Sequence, residues 1–477
     1  MIFDKLKKFY HSPTFLTWVS NSVILAHGII VTPLTLKKFN DIEYSYWVMI
    51  QTLLAFSLLA DSGFGHTLSR SVAFLFGGSK KLPHNLEDYK KVKPENDIPS
   101  YGSLWILLKT STKIYNYLAI AVALIMGGAG VGILWNLLEM SGHQLTLWIA
   151  FIIMVLLSLI SIQSVKWNAF ITGIQLVAIH TRISVASSIL QLIAFLIILI
   201  FQPNIVYLLI FLMLKAIIEI IIRRKIVLNR FNLHLSEDEK MNIFDIQMFR
   251  SLWRSTWRLG ISQWGSFFTS SGVSIIISQI KDPALMASFL FTNKIIGFIK
   301  TVAEAPFQAN LPIVYSLMAK KDYRSIKQRV CSDLFMMIFL FIAGTVSFAI
   351  LGNLLLGFLG IEKSIIPIPI YIVYTLMLLV SMHSRVHGTI YLTTNEMPFY
   401  IPSILTGGIV ILFGFLVLPH YGLMGVVVVQ LVATCLVNAW LAPYMVLKLL
   451  NWKWYNYVRD LLLMGSKHSL QRLAKFI

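Results

Sequence analysis

The most constraining feature of this 477-residue sequence is a series of long apolar stretches separated by short polar turns. A helix needs about 20 mostly apolar residues to cross a bilayer, and each stretch is long enough to do so. Only 13% of the residues are charged and 57% are hydrophobic, whereas soluble domains are about one quarter charged. An ordinary soluble enzyme and a disordered chain are therefore excluded. We predict an all-α polytopic membrane protein with twelve transmembrane helices, approximately at 14–36, 44–61, 104–136, 145–171, 178–201, 204–222, 257–279, 283–312, 332–359, 365–390, 398–418 and 421–449.

The positive charges indicate how the chain is oriented in the membrane. With a cytoplasmic N-terminus, 29 of the 40 Lys and Arg residues fall on the cytoplasmic side, 4 on the opposite side and 7 in or beside predicted spans. Lys and Arg concentrate on the cytoplasmic side of membrane proteins, so we expect both termini to be cytoplasmic. The formal net charge of +19 therefore reports topology, and we expect no nucleic-acid partner.

A charged break between the sixth and seventh spans divides the chain into two six-helix lobes. We predict an N-terminal lobe at 1–223, a cytoplasmic connector at 224–256, a C-terminal lobe at 257–449 and an interfacial amphipathic tail at 450–477. An even number of helices per half gives both lobes the same orientation. The loops predicted on the outer face are too short to hold a folded catalytic domain.

The sequence carries no motif typical of an enzyme or of a cofactor site. It has no G-x-x-x-x-G-K-[ST] phosphate-binding loop, no zinc-protease motif and no esterase motif. His383 and His387 have the i, i+4 spacing of metal ligands, but no third ligand is evident, and polar lining is the alternative. Gly128 and Gly132 form a G-x-x-x-G pattern that predicts close helix packing. We therefore expect no enzyme activity, cofactor or metal.

Ionisable residues inside the membrane cost about 2.5–3.5 kcal/mol each, so each one needs a reason. In the eighth predicted span, polar residues recur at helical spacing and form one stripe, which we expect to line a water-filled cavity. Lys300 precedes Glu304 by one turn and is close enough to pair with it. A buried Lys–Glu pair that only fixes helix packing is the alternative. The stripe consists of Lys294, Gly297, Thr301, Glu304 and Gln308.

Two further cations are candidates for contact with a substrate. Arg258 begins a weaker polar face in the seventh span, where Ser and Thr hydroxyls bonding to neighbouring helices are an equal alternative. Lys215 stands one turn before Glu219 in the sixth span, and a structural pair is the alternative there. The candidate substrate-binding cations are therefore Lys294, Lys300, Arg258 and Lys215.

Three residues are candidates for ion coupling or gating: Asp61, Glu304 and His27. Asp61 ends the second span next to Gly63 and Gly65, a pattern that predicts a helix break or a close approach. Pairing of Asp61 with a neighbouring cation is the structural alternative. His27 titrates near neutral pH, and a satisfied core histidine is the alternative for it.

Several short motifs, in their order and placement, resemble those of one group of carriers. They are Thr32-Pro33, Glu43-Tyr44, Asp61-x-Gly63-x-Gly65 with Arg70, Asn310-Leu-Pro312 leading into Ala319-Lys-Lys-Asp322-Tyr, and His420-Tyr-Gly422-Leu-Met-Gly425. Together with the twelve-span layout, they resemble polysaccharide flippases of the multidrug/oligosaccharidyl-lipid/polysaccharide exporter superfamily. The resemblance covers nearly the whole chain.

The resemblance implies a V-shaped, MATE-like carrier in the cytoplasmic (inner) membrane, working by alternating access through a cationic central cavity. The implied substrate is an undecaprenyl-diphosphate-linked oligosaccharide, such as an O-antigen, lipopolysaccharide or capsule repeat unit. The implied partners are a polysaccharide polymerase and chain-length proteins. Two alternatives stay open: a proton- or sodium-coupled multidrug exporter of the same superfamily, and a membrane-embedded polysaccharide polymerase or glycosyltransferase.

Overall fold

The computed structural model describes residues 22–23, 26–78, 99–232, 245–319, 322–394 and 398–473. Within these ranges all regular secondary structure is helical. The chain divides into two compact units, Met1–Gln263 and Trp264–Ile477. The prediction of an all-helical fold is therefore confirmed for the described residues.

The N-terminal unit is built around one long central helix, α5, which packs against α2, α3, α4 and α7. Phe170 on α5 and Phe231 on α7 meet with ring centroids 6.0 Å apart inside its buried core. The described helices of this unit are α1 (Thr32–Lys38), α2 (Asp41–Leu58), α3 (Phe64–Phe76), α4 (Tyr101–Glu139), α5 (Gln144–Gly173), α6 (Val177–Phe201), α7 (Ile205–Asn232) and the first part of α8 (Ile246–Ile277).

Local sequence explains where α2 begins and where it breaks. At its start, the Asn40 side chain accepts a hydrogen bond from the Glu43 N–H (2.8 Å), and the Glu43 carboxylate accepts one from the Asn40 N–H (3.2 Å). This capping box provides hydrogen-bond acceptors for two backbone N–H groups that have no acceptor within the helix. At its end, Ser62 and Gly63 take left-handed conformations (φ 48° and 79°) after the 3₁₀ turn Leu59–Asp61. The predicted helix break near Asp61 is confirmed.

The C-terminal unit is organised around α10, which packs against α9, α11 and α14. Its described helices are α9 (Pro283–Ala319), α10 (Tyr323–Phe358), α11 (Ile368–Tyr391), α12 (Tyr400–Ala433), α13 (Ala439–Leu449) and α14 (Trp454–Leu473). A π-helical turn, Thr434–Asn438, joins α12 to α13.

The chain reverses direction inside the segment assigned to α12. Gly422 has φ 56° and ψ −148°, which are not helical. A Cβ on Gly425 would collide with Val417, and one on Gly414 would lie 3.7 Å from Val426, contacts that a straight helix does not allow. The motif that includes Gly422 and Gly425 is therefore a tight turn between two antiparallel helices.

Nine helical segments of the described chain are long and apolar enough to cross a membrane. One of them, Tyr400–Leu449, contains the turn at Gly422 and so covers two predicted spans. The predicted span at 257–279 lies in α8, which is helical but is not among the nine. Residues 14–21, 24 and 25 of the predicted span at 14–36 lie outside the described residues. The number twelve therefore stays a prediction.

The predicted domain boundaries also stay predictions. Helix α7 continues to Asn232 and α8 begins at Ile246, so helices extend into the predicted connector from both sides. The segment 233–244 lies outside the described residues. The tail is helical from Trp454 to Leu473.

The reading of Gly128 and Gly132 as a packing motif was wrong. A Cβ added to either residue would meet no other atom within 4 Å. The glycine of α4 that packs closely is Gly130, where a Cβ would lie 3.2 Å from the Phe151 ring. The spacing alone did not identify which side of the helix faces its neighbour.

Candidate functional site

The polar stripe of α9 borders open space in the C-terminal unit. Thr301 and Gln308 are exposed, and Lys294 and Lys300 are half-buried. A Cβ on Gly297, in the middle of the stripe, would meet nothing within 4 Å. The stripe is therefore accessible from outside the helix packing, which is the arrangement that a ligand-lining surface needs.

Glu304, the carboxylate of the stripe, pairs with a residue that the sequence did not predict. Its Oε2 lies 3.4 Å from Nη1 of Arg385 on α11. The Glu304 residue is 9% exposed, while the Arg385 side chain is 51% exposed. Lys300 lies near Glu304, as its spacing predicted, and also near Arg385, but its ammonium makes no hydrogen bond or ion pair with the described residues.

Arg385 was not among the predicted site residues because it lies near the end of a predicted span. Its position on an apolar helix, between His383 and His387, is the sequence feature that could have identified it as a site residue. Lys300 and Arg385 both lie near Glu304, so two cations accompany this carboxylate, and Lys294 lies on the same stripe ten residues earlier. The site therefore carries an excess of positive charge.

The two histidines of α11 face the C-terminal tail. His383 Nε2 and the Tyr457 hydroxyl are hydrogen-bonded at 2.6 Å, and His387 Nδ1 contacts the His383 carbonyl at 2.8 Å. Burial raises the pKa of the Tyr457 hydroxyl above its ordinary value, at which it is already protonated at neutral pH. Among the described residues, no group of three His, Cys, Asp or Glu side chains is placed to hold a metal ion.

The candidate Lys215 belongs to a closed network in the N-terminal unit. Glu219 lies 3.8 Å from Lys215 Nζ through Oε1 and 2.8 Å from Arg223 Nη1 through Oε2. Lys215 also donates to Gln191 at 2.7 Å, and Arg223 donates to Ser184 at 3.1 Å. Arg223, which we expected at the edge of the cytoplasmic connector, is only 2% exposed. The network therefore favours the structural alternative for Lys215.

Asp61 is buried and is held by neutral donors. Its carboxylate accepts hydrogen bonds from the Gly65 N–H (2.9 Å to Oδ2) and from the Tyr115 hydroxyl (2.5 Å to Oδ1). A Cβ on Gly65 would lie 2.6 Å from Val165, so the glycine permits this close approach. The alternative that Asp61 pairs with a neighbouring cation stays open: no described Lys or Arg forms an ion pair with it, but His66 interacts electrostatically with the carboxylate.

The remaining candidates do not join these clusters. Arg258 is exposed, and its guanidinium lies over the Trp257 ring at 5.3 Å. His27 is half-buried at the start of the π-helical turn His27–Val31, with its ring 5.4 Å from that of Phe195. Both belong to the N-terminal unit, as does Lys215, whereas Lys294 and Lys300 belong to the C-terminal unit.

The motif residue Asn310 has a structural role. Its Nδ2 donates to Asp333 Oδ1 at 2.8 Å, and its Oδ1 accepts from Arg329 at 2.9 Å, so it bridges α9 and α10. Asp322, in the same motif, accepts from the Ser325 N–H and caps α10.

Comparison with known proteins gives likenesses of structure only. A scan against protein-family models and a search of curated protein sequences give no match. An inward-facing multidrug resistance MATE family transporter of the MOP superfamily aligns with a TM-score of 0.60 and 11% identity, covering 89% of this chain and 94% of that chain. The lipid II flippase MurJ, in an inward closed conformation, aligns with a TM-score of 0.59 and 13% identity, covering 95% and 89%.

The outward-facing conformation of a MATE family transporter aligns with a TM-score of 0.54 and 12% identity, covering 91% of this chain and 94% of that chain. All three are described as transport proteins, and none as an enzyme. Identities this low establish the architecture and nothing finer. The chain therefore has the fold shared by MATE transporters and the lipid II flippase MurJ.

Proposed function

We propose that this protein moves a polyprenyl-diphosphate-linked oligosaccharide repeat unit from the inner to the outer leaflet of the cytoplasmic membrane, for O-antigen or capsule assembly. Transport by alternating access is what the sequence resemblance to polysaccharide flippases implies. The observation that carries the proposal is the excess of positive charge along the open stripe of the C-terminal unit, where Lys300 and Arg385 lie near Glu304 and Lys294 lies on the same helix.

The chemistry of the substrate fits this charge. A diphosphate head group is strongly anionic, and hydrogen bonds from charged donors replace the water that it loses. Arg385 offers a planar guanidinium that can bind two phosphate oxygens at once, and Lys300 offers a compact ammonium. The exposed hydroxyl of Thr301 and amide of Gln308 suit contacts with sugar hydroxyls. The polyprenyl chain stays in the lipid.

Export of cationic drugs is the second candidate function, and the solved MATE structures are described as multidrug resistance transporters. A cationic substrate needs a free carboxylate. Glu304 is buried against Arg385, and Asp61 is occupied by Tyr115 and Gly65. The arrangement of these two acids therefore favours an anionic substrate. A polymerase or glycosyltransferase gains no support, since the similar structures are transport proteins.

The proposal is tested with purified protein in liposomes that contain a polyprenyl-diphosphate oligosaccharide with a fluorophore on its sugar. Dithionite added outside quenches only the outer leaflet, so the loss of protected fluorescence reports translocation. We expect wild type and Lys281→Ala to translocate the lipid, Lys294→Ala to be inactive and Lys294→Arg to retain part of the rate. Lys281 is the matched control because it is an exposed lysine in the turn just before α9.

Equal rates for Lys294→Ala and Lys281→Ala would refute the role of the stripe. In the same liposomes, uptake of a cationic dye driven by a proton or sodium gradient, without translocation of the lipid, would establish the drug-export alternative instead.

A further inference from the structure

The C-terminal helix α14 is held firmly along one side of the C-terminal unit. Tyr457 is buried and hydrogen-bonded to His383 of α11. Trp452 Nε1 donates to Asp460 at 3.2 Å, which closes the tail on itself. Lys327 of α10 donates to the Asn451 carbonyl at 3.4 Å and lies over the Trp452 ring at 5.5 Å. The orientation of α14 is therefore fixed, and so is the face that it turns outward.

The neighbours of α14 place it at the level of the lipid head groups. Helix α10 has 36 residues, which make it about 54 Å long, whereas the hydrocarbon layer is about 30 Å thick. Arg324, Lys327 and Arg329 lie in its first two turns, so this end projects out of the hydrocarbon. Because the tail contacts α10 at Lys327, the start of α14 lies at the same level.

The outward face of α14 is apolar and aromatic. Trp454 is 60% exposed and Tyr455 is 76% exposed, and Leu462 and Leu463 on the following turns are similarly uncovered by the described chain. Trp and Tyr side chains with an apolar body and a polar edge are enriched at membrane–water interfaces. This face is therefore suited to lie against lipid at the boundary between head groups and acyl chains.

Positive charges stand beside the aromatic face. Lys448 and Lys453 are exposed on either side of the short turn before α14, and their side chains make no hydrogen bond or ion pair with the described residues. Arg459 lies 3.3 Å from Asp460, the only acidic residue of the tail. The local charge is therefore positive, and the two lysines are free to bind an anion.

We infer that this face, formed by Trp454, Tyr455, Leu462 and Leu463 with Lys448 and Lys453, binds the head groups of anionic phospholipids. The aromatic and leucine side chains insert beside the acyl chains, and the two ammonium groups contact the phosphates. Each cation near an anionic surface strengthens binding about fivefold. The inference does not depend on which substrate the protein transports.

The test uses the full-length protein in nanodiscs and the fluorescence of Trp454, taken as the difference between each protein and its Trp454→Phe counterpart. Brominated phosphatidylglycerol and brominated phosphatidylcholine are titrated as quenchers. We expect wild type to prefer the anionic lipid, and Lys448→Gln/Lys453→Gln to bind it about 25-fold more weakly. Lys225→Gln/Lys281→Gln, which removes two exposed lysines elsewhere, keeps the wild-type preference.

Two outcomes would overturn the inference. Equal quenching by both lipids in wild type would mean that the face inserts without recognising charge. Absence of quenching by either lipid would mean that the face does not touch the membrane. If light scattering then showed a dimer, a second copy of the chain would be what covers it.

Discussion

The two units contain the same short charge pattern and use it in opposite ways. Lys215 and Glu219 in the N-terminal unit, and Lys300 and Glu304 in the C-terminal unit, are both Lys–Glu pairs at i, i+4 spacing. In the first unit, a buried Arg223 on the same helix completes a closed network. In the second, Glu304 forms its ion pair with the half-exposed Arg385 of another helix, and Lys300 lies nearby without a hydrogen bond or ion pair to the described chain.

This difference separates a structural charge cluster from one that is available to a ligand. A buried ion pair holds its position only if each charge keeps its partners, so it has no capacity to bind anything else. For a cation at the edge of open space, the free-energy cost of carrying a charge is smaller. Such a cation can also form a charge-assisted hydrogen bond with an anion that binds there. Whether a Lys–Glu pair is structural or available to a ligand therefore depends more on its exposure to solvent, and on the third charged residue beside it, than on the i, i+4 spacing.

The largest effect is expected from opening the closed network. Arg223→Ala removes a buried cation and leaves the half-buried Glu219 with only the more distant Lys215, and we expect a loss of about 3–5 kcal/mol in the free energy of unfolding. Arg224→Ala is the matched control, because Arg224 is its exposed neighbour with the same charge. Unfolding in detergent measures both. Equal stability of the two variants would show that the network is not structural.

The second prediction compares the two lysines directly in ligand binding. Lys300→Gln removes a free cation from the open stripe, and we expect the affinity for a diphosphate-linked oligosaccharide lipid to fall at least tenfold, since a charged hydrogen bond contributes about 1.5–3 kcal/mol. Lys215→Gln changes a lysine already bonded to Gln191 and leaves the affinity unchanged. Titration of each purified variant with the lipid in detergent measures the two affinities. A larger loss for Lys215→Gln would reverse the assignment.

The third prediction concerns Asp61, the buried acid at the break between α2 and α3. Tyr115→Phe removes the hydroxyl that donates to Asp61 at 2.5 Å, and we expect a loss of about 1.5–3 kcal/mol in the free energy of unfolding. In Asp61→Asn the same Tyr115→Phe change costs much less, because the charged acceptor is already gone. A double-mutant cycle of unfolding free energies measures this coupling. Additive effects would mean that the contact contributes little.

The sequence predicted the elements well and the partners of charged residues poorly. Long apolar stretches dictate helices in lipid, because every backbone group must be satisfied internally. The break at Gly63 and the turn at Gly422 were also visible, since glycine tolerates the left-handed conformations found there. These features depend on residues that are close in the chain.

Partners across helices depend on how helices rotate against each other, which spacing does not report. Arg385 reaches Glu304 from 81 positions away, and Tyr115 reaches Asp61 from 54. By their spacing from a glutamate, Lys300 and Lys215 were equally good candidates for substrate binding, and only the packing around them distinguishes the two. The same limit explains why Gly130, rather than Gly128 or Gly132, proved to be the close-packed glycine of α4.

The smallest effect is expected from adding one methyl group to a glycine in each unit. Gly297 lies within α9 beside open space, so Gly297→Ala only lowers the entropy lost by the backbone on folding, and we expect a gain of about 0.5–1 kcal/mol in the free energy of unfolding. Gly65 is packed against Val165, and Gly65→Ala destabilises the protein because a neighbour must move. Unfolding of the two variants in the same detergent gives the sign of each effect. Destabilisation by Gly297→Ala would mean that other atoms cover the polar stripe of α9 at Gly297. The stripe would then not be open to a ligand, and the proposed difference between the charge clusters of the two units would be wrong.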